Sequence, residues 1–85
     1  PIINDFTVFP NPAQGEVNVA FSSPKNEIIN VRIFDMVGKT VLTNEVSVEE
    51  GNNQFSFDLA NLTKGIYFVE LNSSSERLVK KLIME

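Results

Sequence analysis

The sequence predicts an all-β fold, a two-sheet antiparallel sandwich of seven strands, and three observations lead to it. Apolar residues recur at every second position in most segments, the period of a half-buried strand. Clusters of Pro, Gly, Asn, Asp and Ser interrupt the chain every ~8–12 residues, the turn spacing of a sandwich or barrel. No segment carries a sustained apolar stripe at the ~3.6-residue spacing of a helix.

The first strand is expected over Asn4–Phe9, ending at Pro10-Asn11-Pro12, because proline donates no ladder hydrogen bond. Glu16–Phe21 follows, with Val17, Val19 and Phe21 on its inward face, and stops at Ser22-Ser23-Pro24. Ile28–Phe34 turns Ile29, Val31 and Ile33 inward. Phe34-Asp35-Met36-Val37-Gly38-Lys39 then reads as a tight hairpin, with Asp35 able to bond the turn backbone and Gly38 free to take positive φ. Lys39–Val46 is the returning strand, and Glu49 to Asn53 form a polar loop. Asn53–Leu59 carries Phe55, Phe57 and Leu59 inward; Ile66–Leu71 carries Tyr67, Val69 and Leu71; Arg77–Met84 closes the set.

Leu62 to Val69 has the layout of a tyrosine corner, in which a Tyr near the start of a strand bonds back to upstream backbone. That layout makes the expected sandwich immunoglobulin-like, with Greek-key connections. At 85 residues the chain holds one domain, residues 1–85, since independent domains need at least ~50 residues apiece.

Composition narrows function. Without cysteine or histidine there are no disulfides, thiolates, imidazole bases or nitrogen and sulfur metal ligands. The net charge of −4 argues against a nucleic-acid partner, and no apolar run approaches the ~20 residues of a membrane-spanning helix. Carboxylates are the remaining catalytic candidates, but Asp35 and Asp58 stand at strand ends and Glu49-Glu50 in a loop, where turn and solvent roles come first. No catalytic, cofactor or metal site is therefore expected; no run resembles a calcium loop, and Asn61-Leu62-Thr63 and Asn72-Ser73-Ser74 read as loop chemistry. Of the aromatic residues, Phe9 and Phe68 have outward parity, and Ile66 with Phe68 is a candidate exposed apolar patch.

The tail Arg77 to Met84 carries three of the chain's seven basic residues, with lysine on both parities. A fully enclosed strand does not tolerate that, so an edge strand is expected, its lysines discouraging edge-to-edge association.

Taken together, these motifs resemble one family. Val8-Phe9-Pro10-Asn11-Pro12, Val17-Asn18-Val19, the hairpin Val31 to Val41, Leu59 with Leu62 to Val69, and Lys80-Lys81-Leu82-Ile83 are similar, in order and spacing, to the C-terminal sorting domains of type IX (Por) secretion systems. The resemblance implies a non-enzymatic domain of a larger cargo protein in Gram-negative bacteria. Such a domain is recognised in the periplasm and directs passage across the outer membrane to the cell surface or beyond. Its implied partners are an outer-membrane translocon, a shuttle and a sortase-like protease that cleaves the domain as cargo is attached to the surface. It also implies fold roles for Pro10, Asn11, Pro12, Asp35, Gly38, Lys39, Gly65 and Tyr67, and signal roles for Lys80, Lys81, Leu82 and Ile83. Two departures stand out: the acidic Glu85 at the end, and Asn72 to Glu76 without the glycine often found in that hairpin. Deleting Lys80–Glu85 is expected to abolish export while the upstream fold largely survives. The alternative reading is an immunoglobulin-like accessory module that binds polysaccharide or spaces other domains.

Overall fold

The computed structural model describes residues 2–85. Its seven strands are β1 (Asn4–Phe9), β2 (Glu16–Ser23), β3 (Glu27–Asp35), β4 (Thr40–Val48), β5 (Gly51–Asp58), β6 (Gly65–Asn72) and β7 (Arg77–Met84). They form two antiparallel sheets, ordered β1-β2-β5 and β4-β3-β6-β7. The chain changes sheet after β2, after β4 and after β5, so the all-β, immunoglobulin-like sandwich expected from the alternation is the fold observed.

The inner faces carry the residues that alternation assigns to them. Val17, Val19 and Phe21 of β2 meet Ile29, Val31 and Ile33 of β3 and Tyr67, Val69 and Leu71 of β6, all of them buried. Each such Val, Leu or Ile contributes about 1.5–3 kcal/mol by leaving water. Phe55 is only half-buried because β5 borders its sheet, and it leans on Phe21 at a ring-centroid distance of 6.2 Å.

Strand boundaries depart from expectation where β4 meets β5. β4 runs to Val48 and β5 begins at Gly51, whereas alternation suggests Val46 and Asn53. The Asn53 side chain explains the shorter connection: its Oδ1 accepts from Glu49 N at 3.1 Å and its Nδ2 donates to Glu49 O at 2.8 Å. Gly51 takes the positive φ of 102° that this closure requires.

Two motifs lock the second sheet. Asp35 Oδ1 accepts from Val37 N at 3.0 Å and Lys39 N at 2.9 Å, and Gly38 turns at φ 89°. Tyr67 Oη donates to Thr63 O at 2.8 Å, the bond that defines a tyrosine corner. The β6–β7 hairpin manages without glycine because the Ser73 hydroxyl accepts from Ser75 N at 3.2 Å and Glu76 N at 3.0 Å, an alternative to a positive-φ turn.

Candidate functional site

β7 pairs with β6 along its whole length, from Arg77 opposite Asn72 to Met84 opposite Gly65. Among the described residues no strand lies on its other side, so β7 borders the four-stranded sheet. Its core-facing residues anchor it: Leu82 is 0% exposed and Met84 is buried beside it, with Leu78 packed partly against the core.

The outer edge of β7 is divided. In an antiparallel pair, alternate residues direct their backbone groups toward and away from the partner strand. Ile83 N donates to Asn11 Oδ1 at 3.0 Å, and Ile83 O accepts from Ala13 N at 2.8 Å, which shows that odd-numbered residues of β7 face away from β6. Asn11 Nδ2 also donates to Lys81 O at 3.1 Å, and Glu85 N donates to Ala13 O at 2.8 Å. The Asn11 side chain thus imitates a short piece of neighbouring strand, and Ala13 continues it as a parallel bridge to Met84. Above this latch, the N–H and C=O of Val79 and the N–H of Lys81 have no hydrogen-bond partner among the described residues.

The start of the strand is tied as well, since the Glu76 carboxylate accepts from Ile3 N at 3.0 and 3.2 Å. The amino-terminal segment therefore holds β7 at both ends, and between these ties no hydrogen bond reaches the outer edge of β7 among the described residues.

Lys80 and Lys81 are both exposed. Lys80 stands opposite buried Val69 and has inward parity, yet reaches solvent because β7 lies at the border. Lys81 stands on the outer face opposite Phe68, whose ring stacks on Phe34 at 5.4 Å, with the Arg32 guanidinium 4.3 Å from the Phe34 centroid. Neither lysine is paired with a carboxylate among the described residues. Leu82 and Ile83 differ from them: Leu82 is in the core and Ile83 is half-buried with its backbone latched.

This placement corrects one expectation. Deleting Lys80–Glu85 would remove Leu82 and Met84 from the core and the whole partner of the Asn11–Ala13 latch, so the upstream fold does not survive it intact. Lysine substitutions probe the tail without that damage.

The same outer face holds a residue that alternation alone does not single out. Glu70 is 2% exposed although it faces outward, because Arg32 at 3.7 Å, Arg77 and the Asn72 amide enclose its carboxylate. Its signal was the cross-strand placing of Arg32 opposite Glu70, legible only once the register of β3 and β6 is known.

The other candidate carboxylates serve turns. Asp35 closes its hairpin, Asp58 Oδ1 accepts from Ala60 N at 3.0 Å on the other sheet, and Glu49 and Glu50 are exposed. Among the described residues no three His, Cys, Asp or Glu side chains converge in a metal-binding group. Surface depressions of about 290, 220 and 270 Å³ are present, none of them lined by a cluster of candidate catalytic groups among the described residues.

The model of a family described as the secretion system C-terminal sorting domain matches residues 7–85. The chain belongs to this family. The family's domain is the C-terminal sorting signal of type IX secretion, so the chain is a sorting domain of a larger exported cargo, and its cargo goes to the cell surface or the extracellular space. The role that the family description states is sorting, not catalysis. No curated protein matches the chain. Dimeric latent PorU from Porphyromonas gingivalis is similar to the sorting domain with a TM-score of 0.74 at 20% identity, covering 98% of this chain and 9% of PorU. A GH3 β-glucosidase from Bifidobacterium adolescentis follows, with a TM-score of 0.54 at 18% identity over 96% of this chain and 16% of its own. A β-glucosidase from Kluyveromyces marxianus gives 0.53 at 17% identity over 99% of this chain and 14% of its own. At these identities the likenesses show the fold alone, and the sorting domain spans only a small part of each of these proteins.

Proposed function

We propose that residues 1–85 act as one sorting domain that works by being bound in the periplasm, with Lys80 and Lys81 as the residues a receptor reads. Leu82 and Ile83 act in this reading by seating the strand. Pro10, Asn11, Pro12, Asp35, Gly38, Lys39, Gly65 and Tyr67 serve the fold that presents it. The observation that carries the proposal is the state of β7: a basic border strand whose two adjacent lysines are exposed and, among the described residues, unpaired, while Leu82 and Met84 anchor it. A translocon, a shuttle and a sortase-like protease are the partner classes, with cleavage of the domain accompanying surface attachment.

The test is a fusion of residues 1–85 behind a periplasmic reporter in a host that has a type IX secretion system. The reporter is expected outside the cell, and the double variant Lys80→Glu/Lys81→Glu is expected to keep it in the periplasm. Export of the double variant at the wild-type level defeats the role given to the lysines.

A further inference from the structure

The latch on β7 leaves a short line of backbone groups free, and the charges around that line narrow what can pair with it. Val79 N–H and C=O and Lys81 N–H face away from β6 and are unpaired among the described residues. Val79 itself is 38% exposed. Beyond Lys81 the edge is taken, because Asn11 already bonds Lys81 O and Ile83 N. An added strand therefore registers on Arg77 to Lys81 and stops there.

We propose that this half-edge, Arg77–Lys81, takes an extended acidic segment of a partner protein as an additional strand of the four-stranded sheet, with the Asn11–Ala13 latch as its register stop. The inference rests on the sorting reading for its biological setting, but the pairing itself stands on the geometry. A strand beside β7 sets one of its residues opposite Val79. Its neighbours then fall opposite Lys80 on the inner face, and opposite Lys81 and Arg77 on the outer face. Carboxylates at those positions meet cations on both faces of the sheet. Arg77 is already paired with Glu70, but its side chain is 61% exposed and its remaining N–H groups can donate to a second carboxylate.

A second copy of this chain is the wrong occupant. Two β7 edges paired antiparallel about Val79 set Arg77 of one copy opposite Lys81 of the other, twice, and like charges directly opposite are destabilising. The same lysines that prevent self-association thus select an acidic strand.

The probe is the blocked peptide Thr-Glu-Glu-Val-Glu-Glu-Thr, whose symmetry suits either strand direction, titrated to millimolar concentration into the isotope-labelled chain. Amide exchange and chemical shifts report where it pairs. Expected are slowed exchange at Val79 and Lys81, none at β4 or β5, and binding that weakens as salt rises. A peptide with lysine for every glutamate is expected not to bind. Lys80→Glu/Lys81→Glu is expected to weaken the acidic peptide about tenfold, since the reversal turns two attractions into repulsions.

Val79→Pro is the sharper variant. Its ring removes an N–H that β6 does not use, so the β6–β7 ladder stays intact while the free edge is blocked. It is expected to keep the wild-type melting temperature within about 4 °C and to lose peptide binding. Protection at other strands, equal binding of the lysine peptide, or binding by folded Val79→Pro overturns the inference. In the export assay, wild-type export with undiminished Val79→Pro export overturns the strand pairing and leaves the sorting reading standing. Failure of the wild-type fusion defeats the sorting reading, and the peptide titration then decides the edge on its own.

Discussion

Asn11→Ala isolates the latch that holds the end of the terminal strand. Asn11 makes two hydrogen bonds to β7, donating to Lys81 O at 3.1 Å and accepting from Ile83 N at 3.0 Å. Both lie at an exposed edge, where water replaces them readily, so each is worth about 0.5–1 kcal/mol. The substitution is expected to cost about 1–2 kcal/mol, or roughly 5–15 °C in Tm for a domain of this size. The Ile83 amide is expected to exchange about 5- to 30-fold faster, the population factor for that energy. The amide of Val79, which has no partner among the described residues, serves as internal control. Asn11→Asp separates strand mimicry from general polarity: it keeps the acceptor for Ile83 but sets a carboxylate oxygen against the Lys81 carbonyl. Measured in salt high enough to screen the nearby lysines, it is expected to lose as much stability as Asn11→Ala. Thermal unfolding followed by circular dichroism and amide exchange by NMR give both quantities. Unchanged Ile83 exchange in Asn11→Ala, or full stability in Asn11→Asp, refutes the account of Asn11 as a substitute strand.

Tyr67→Phe removes the hydroxyl that donates to Thr63 O and is expected to cost about 1 kcal/mol, a fall of about 4–8 °C in Tm with little change in fold. Glu70→Gln keeps the shape of the enclosed side chain but not the charge facing Arg32 and Arg77; denaturant unfolding is expected to show a loss of about 1.5–3 kcal/mol, and a loss under 0.5 kcal/mol would place the residue among ordinary surface groups. Leu82→Ala is expected to cost about 2–5 kcal/mol, because the side chain is fully buried and its removal leaves a cavity at the border of a small core. If Leu82→Ala lowers export only in proportion to its loss of folded protein, Leu82 anchors the strand; a larger loss of export would give it a direct part in recognition.

Much of the molecule follows from local chemistry. A period of two needs no tertiary information, because successive strand side chains point to opposite faces, and it marks most of the strands, β2, β3 and β6 most clearly. The Asp35–Gly38 turn and the Tyr67 corner are equally local, each closed by groups within four residues of one another. The border position of β7 was legible too, since lysine on both parities is incompatible with a strand enclosed on both sides. The physical reason is the same in each case: the energy that decides the feature is spent within a few residues, or within the pattern of one strand.

Tertiary structure decided the rest, because the remaining features join groups far apart in the chain. Asn11 and Lys81 meet across 70 residues, so that two motifs read separately in the sequence become one latch. Glu70 has outward parity but is buried, since the register of β3 on β6 brings Arg32 opposite it and the β6–β7 hairpin adds Arg77. Lys80 has inward parity but is exposed, because the sandwich ends at β7 and leaves its side chain free to reach water. Periodicity states which way a side chain points; whether it meets core, carboxylate or solvent there depends on which strand the fold sets beside it.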